Sequence, residues 1–263
     1  MKLNSNLRIK IAEMVKISGE GHIPSSFSIV DIIDYLYGKV LKYNLNNLSS
    51  NDRDYFILSK GHGCGALYSV LNKYGIISEK DIQDYSTSKG IIGGHPDMTK
   101  VPGVEASTGS LGHGFPTSVG LALGLKIKNK SNKVFVLLGD GECHEGTVWE
   151  SANIGNNLNL GNLCAIVDWN GSAEQLMPED DLISKWKAFG WSVKEINGHD
   201  MRAILEVFDK MPLDTKKPSA IISRTTKGNG VSFMENVPMW HYRAPNTEEE
   251  KLARLELEAL LAK

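Results

Sequence analysis

Asp140 stands between Gly139 and Gly141, directly after the apolar run Val134-Phe-Val-Leu-Leu138. A second run, Leu163-Cys-Ala-Ile-Val167, ends on Asp168-Trp-Asn170. Short β-branched runs of this kind predict buried strands. If the two strands are parallel neighbours, each sets an oxygen donor at its carboxyl end, where open α/β sheets bind ligands. A carboxylate (Asp140) and an amide carbonyl (Asn170) are hard donors that suit Mg²⁺ or Ca²⁺. The glycines leave space for a bulky anion such as a diphosphate, whose charge the cation offsets. A backbone carbonyl just beyond Asn170, diphosphate oxygens and a water would bring the shell to about six ligands. A Gly-flanked Asp alone is equally an ordinary turn. The second strand ending in Asp-x-Asn is what favours a metal–diphosphate site.

Five of the seven histidines follow a glycine: His22, His62, His95, His199 and His113. His113 lies between two glycines, while His144 and His241 lie in polar loops. One such residue is usually a solvated or capping histidine. Several on Gly-rich loops suggest a site that handles hydroxyls, phosphate oxygens and protons. Glu142, Glu145 and Glu150 follow the Asp140 strand. They read as acids favoured at a helix N-terminus, with proton handling left open by their position. Thr108-Gly-Ser-Leu-Gly-His-Gly114 is either a flexible loop or a backbone lining for a flat heteroaromatic ring, with Leu111 as apolar support. No G-x-G-x-x-G joins a strand to a helix, which disfavours a Rossmann nicotinamide site.

The elements that must position these residues alternate. Helical spacing covers Leu7 to Ser18, Cys64 to Tyr74, Phe115 to Lys128, Gly146 to Asn157 and Met201 to Lys210, with a short helix from Ser78 to Tyr85. Ser28 and Asp31 form a capping-box variant that predicts a second amphipathic helix reaching about Tyr43. Thr247 is expected to cap a final charged helix. Strands are expected at 55–58, 134–138, 163–167, 191–196 and 219–223, and 87–114 forms a long loop, a length that is usually functional. This order predicts an α/β fold: a doubly wound, mostly parallel sheet with helices on both faces, in one domain over 1–263.

With 263 residues the chain can bury a sizeable core. The 29 basic and 31 acidic side chains give a net charge of -2, so nothing favours nucleic acid or an anionic membrane as partner. No apolar run approaches the ~18 residues of a membrane span. The N-terminus has no signal-peptide core, and the three cysteines lack metal-ligand spacing. These features suggest a cytoplasmic protein with reduced thiols.

Taken together, Gly139-Asp-Gly and Asn170 resemble the thiamine-diphosphate motif. The chain resembles the diphosphate-binding half of the transketolase family over nearly all its length. The matching segments are Gly21-His-Ile-Pro-Ser-Ser-Phe-Ser28, Leu58-Ser-Lys-Gly-His62, Gly94-His-Pro-Asp97, Thr108 to Gly114, Gly139 to Gly146, Asp168-Trp-Asn170 and Lys227 to Asn246. A more distant likeness extends to deoxyxylulose-phosphate synthases. The resemblance implies that Asp140, Asn170 and the Ser172 carbonyl bind Mg²⁺, for which Ca²⁺ or Mn²⁺ can substitute. It implies that Gly141, Glu142, His62 and His241 lie at the cofactor's diphosphate end, and that Gly109 and Leu111 line the aminopyrimidine. His22, His62, His95 and His241 would surround the reacting carbons. Glu145 and Glu150 would be the buried glutamates that link two active sites across an interface. Thiamine diphosphate then serves as electron sink while a two-carbon ketol unit passes from a ketose to an aldose.

The family's catalytic glutamate and its phosphate-binding arginines lie in a pyrimidine-binding domain, which these residues do not include. The resemblance therefore implies a separate C-terminal partner subunit, in an α₂β₂ assembly, with sugars or sugar phosphates as substrates. Gly171 and Ala173 stand where bulkier residues are usual, which suggests a looser cofactor bed or an unusual substrate. Two alternatives use some of the same residues. The α subunit of a 2-oxo-acid dehydrogenase or decarboxylase would share Asp140 and Asn170 but not the four histidines. A non-catalytic scaffold would need none of them.

Overall fold

The computed structural model describes residues 4–174, 177–178 and 181–262. Five parallel strands form one sheet: β1 (Tyr55–Leu58), β2 (Val134–Gly139), β3 (Leu163–Trp169), β4 (Ser192–Asn197) and β5 (Ser219–Arg224). Their spatial order is β1-β2-β3-β5-β4. Register places Gly139 opposite Asp168, so Asp140 and Asn170 emerge from neighbouring strand ends as expected. Every residue of β2 and β3 is buried, as strands covered on both faces require. Alternate side chains feed two separate cores. Phe135, Leu137, Cys164, Ile166 and Ile221 point to one face. Val134, Val136, Leu138, Ala165, Val167 and Ile222 point to the other. The edge strand β4 instead exposes Lys194 and Glu195, which discourages pairing with another chain.

The first face is covered by α1 (Ser5–Ser18), α2 (Ile23–Phe27), α3 (Val30–Tyr35), α4 (Cys64–Lys73), α5 (Glu79–Gln83), α9 (Met201–Phe208) and α10 (Thr247–Leu261). The second is covered by α6 (Gly114–Ile127), α7 (Gly146–Asn157) and α8 (Leu182–Ala188). Among the described residues no helix is long and apolar enough to cross a membrane. The three cysteines are free and buried.

Three local expectations change. Ser28 does not open a capping box: it ends α2, and its hydroxyl lies 2.8 Å from Asp168 Oδ2. Asp31 is instead committed to a buried ion pair with Arg8 at 2.7 Å, whose guanidinium holds the carboxyl well below its usual range. A full ionic partner inside the core outweighs one backbone N–H. The last helix is capped by Asn246, which accepts from Glu248 and Glu249 N–H, with Thr247 already inside it. The sequence pattern also offered no reason to place α8, which is held by fully buried Trp186 against Trp191 and Phe115.

Candidate active site

A cavity of about 860 Å³ opens at the carboxyl ends of β2, β3 and β5. Its floor is Gly139, Asp140, Gly141 and Asn170, with His62, Leu111 and His241 on its walls. Asp140 is 3% exposed. Its Oδ1 accepts the Gly141 N–H at 2.9 Å, but its buried Oδ2 has no partner. Burial and then the charge of Asp168 push its pKa up. A buried carboxylate oxygen without a donor is costly unless a cation meets it. Asn170 Nδ2 donates to Asp168 and its Oδ1 accepts from Ser172 N–H at 3.0 Å. One lone pair of that carbonyl is left for a ligand. A Cβ added at Gly141 would meet only Ala173, at 3.8 Å, so the glycine keeps the cavity floor clear.

These features fit a divalent cation that arrives with an anionic ligand. The described residues contain no group of three His, Cys, Asp or Glu side chains able to hold a metal alone. Asp140, Asn170 and the main chain at Ser172 can supply three oxygens. The remainder must come from a ligand such as a diphosphate.

Asp168 is not a ligand. Its two oxygens take Lys60 Nζ (2.7 Å), Ser28, Asn170 and Thr225. Lys60 and Lys227 are the functional residues that sequence reasoning left out. Both are buried. Lys227 Nζ lies 3.1 Å from Ser172 Oγ and 2.8 Å from His241 Nδ1. Burial, then the nearby Lys60, lowers its pKa to about 8. Both residues fall inside the quoted motifs, and the signal that could have found them is a lysine flanking the glycines of a ligand loop.

His22, His62, His95 and His241 converge as expected. The His22 ring lies 5.2 Å from those of His62 and His241 and 6.2 Å from that of His95, centroid to centroid. Burial is the leading reason that all four are lowered, His22 to about 4. They are therefore neutral at pH 7, each with one donor and one acceptor nitrogen. A lysine ammonium can only donate, so Lys227 makes His241 Nδ1 the acceptor and leaves the proton on Nε2. Of the other histidines, His144 lines the cavity, while the remaining two are bonded elsewhere. His199 Nε2 accepts the Thr226 N–H at 2.9 Å, and His113 Nδ1 contacts the Leu111 carbonyl.

Gly109 packs against His95, where a Cβ would come within 2.9 Å of the ring, and Leu111 faces the cavity. Glu142 reaches the cavity wall, but its carboxylate is occupied. Ser59 Oγ (2.6 Å) and the N–H groups of Gly112 and Gly139 donate to it. It fastens the 108–114 loop to the ends of β1 and β2 and leaves no oxygen free of a protein donor. Glu145 and Glu150 are exposed and line no part of the cavity.

A five-stranded parallel sheet with a cavity at the strand carboxyl ends places the protein in the class of open α/β folds that bind a ligand there. Residues 1–258 match the family described as "Transketolase, thiamine diphosphate binding domain". The chain belongs to the transketolase family and carries its cofactor-binding domain. It is 37% identical over 261 residues to one subunit of the apulose-4-phosphate transketolase of Phocaeicola vulgatus, covering 97% of this chain and 92% of that protein. It is 34% identical to a 6-deoxy-6-sulfo-D-fructose transketolase subunit of a Clostridium species, covering 95% and 93%. A transketolase structure from Campylobacter jejuni superposes with a TM-score of 0.90 at 28% identity, covering 97% of this chain and 42% of that one.

Proposed function

We propose that this chain is the diphosphate-binding subunit of a two-chain transketolase, which moves a two-carbon ketol unit from a ketose to an aldose. The observation that carries this reading is the cluster of four neutral histidines set beside a cleft with an unpartnered buried carboxylate oxygen. Bound thiamine diphosphate would supply the electron sink for C2–C3 cleavage. Asp140, Asn170 and the Ser172 carbonyl would hold Mg²⁺, while Lys227 and the open floor at Gly141 would receive the diphosphate. Neutral imidazoles suit the rest. His22 and His95 orient sugar hydroxyls, and His62 and His241 move protons at the carbons being separated. His241 enters with its proton on Nε2, ready to donate.

Coverage supports the division into two chains. This chain spans 92% and 93% of the two transketolase subunits compared above, but 42% of the structurally similar transketolase. The partner supplies the pyrimidine-binding half in an α₂β₂ assembly. Substrates are pentose-pathway sugar phosphates or a related sugar of a specialised route. Mixing the purified chain with its C-terminal partner, thiamine diphosphate and Mg²⁺ should give ketose-dependent aldose release that neither chain gives alone. Calorimetry that detects no cofactor binding to the mixture would sink the enzyme reading in favour of a scaffold.

A further inference from the structure

We infer that Glu20 and Tyr242 form a hydroxyl-reading element at the outer edge of the histidine cluster, which selects sugars by their neutral polyol portion. This rests on the transketolase reading above and adds two substrate contacts to it. The Tyr242 ring lies 4.7 Å from that of His22, centroid to centroid, and is 56% exposed, so it borders the cluster on its solvent side. Its hydroxyl donates to Glu20 Oε2 at 2.9 Å, across 222 residues of sequence.

The arrangement is fixed from both sides. Ser18 Oγ donates to the Glu20 carbonyl at 2.8 Å and lies 3.3 Å from its N–H. Gly21, between Glu20 and His22, has φ +149°, and a Cβ there would sit 2.5 Å from Val15 Cγ2. Only glycine fits, so Glu20 and His22 keep their relative placement. The hydrogen bond to Glu20 raises the Tyr242 pKa, so the hydroxyl keeps its proton and directs it to the carboxylate.

What remains on offer is acceptor capacity: the phenol lone pairs and the second Glu20 oxygen. Acceptors recognise sugar hydroxyls, whereas a phosphate dianion would face like charge. The cations nearby are committed elsewhere. Lys60 pairs with Asp168 and Lys227 with His241. Arg243, next in sequence to Tyr242, donates to Glu249 and lies over Trp240.

The test uses the reconstituted two-chain complex with thiamine diphosphate and Mg²⁺, and a panel of phosphorylated and unphosphorylated pentuloses and hexuloses as donors. Glu20→Gln and Tyr242→Phe, both near-isosteric and exposed, should each raise the sugar KM about tenfold while kcat changes less than about twofold. The dissociation constant for thiamine diphosphate, read by fluorescence titration, should stay the same. The double variant should be no worse than about the poorer single one, because the pair acts as a unit. An unchanged KM in both variants, or a fall in kcat at constant KM, overturns the inference and leaves the transketolase reading intact. A wild-type complex that turns over no ketose overturns both.

Discussion

Asp140 Oδ2 and the histidine rings set the residue-scale behaviour of the site. A folded-state pKa raised by burial means that ionised Asp140 opposes folding at neutral pH, and that this opposition is relieved as pH falls through the raised value. Asp140→Asn should therefore raise the melting temperature of the free chain by a few degrees. It should also weaken Mg²⁺–thiamine diphosphate binding by at least about a hundredfold, measured by differential scanning and titration calorimetry on the same samples. His22 works with the opposite sign. Its pKa falls from 6.5 to about 4, so stability is intact above pH 6.5 and declines as pH drops through that interval. His22→Gln should flatten this acid limb in urea titrations between those pH values. His95→Ala should lower kcat/KM about a hundredfold with cofactor affinity intact, and an unchanged rate removes His95 from the substrate site. His22, His62, His95 and Asp140 were legible because Gly-His and Gly-Asp-Gly are unusual pairings, whereas His241, which follows Trp240, was reached only through the family resemblance. Lys60 and Lys227 were not legible. Lysine ordinarily marks surface, and only the tertiary fold shows Asp168 buried opposite Lys60.

At the scale of elements, Glu142 ties three pieces of chain together through its carboxylate. Glu142→Ala would orphan the Ser59 hydroxyl and two N–H groups, at a cost of about 2–4 kcal/mol. The loss should appear in urea denaturation and as faster amide exchange in residues 108–114. Gly61 makes the same junction from below. A Cβ there would lie 2.8 Å from the backbone of Thr108 and Gly109, which cannot rotate away, so Gly61→Ala should loosen the same loop. Strand positions and the pairing of β2 with β3 could be read from sequence, because both are continuous apolar runs, whereas the place of β5 between β3 and β4 could not. The Ser28–Asp31 box misled because its acid has a distant partner, Arg8, that local spacing does not reveal. Helix α8 was illegible for a related reason: its burial rests on an aromatic cluster assembled from α6, α7 and the start of β4 rather than on its own periodicity.

Across the whole molecule, one face lacks the covering its chemistry calls for. Helix α6 is apolar nearly all round, yet Gly120 and Gly124 have open space beside them and Ile127 is 71% exposed. On α7, Glu150 and Ile154 lie one turn apart, with Leu158 a turn further at its C-cap, and all three are exposed. Exposed apolar helix surface of this kind is the surface that an assembly would be expected to bury. Glu145 and Glu150 are exposed in the free chain, so any role in linking two sites requires a second chain against this face. Ile154→Asp should leave the circular dichroism spectrum of the chain unchanged and lower the mass of the reconstituted complex in light scattering. A complex of undiminished mass would mean that assembly uses another surface.

The unpartnered oxygen of Asp140 has a consequence for the life of the protein in a cell. A ligand that binds only the folded chain stabilises it by mass action. The free chain, with a buried carboxylate oxygen that no protein donor meets, is then the form most open to unfolding and proteolysis. On the proposed function, its abundance should follow the supply of cofactor and magnesium.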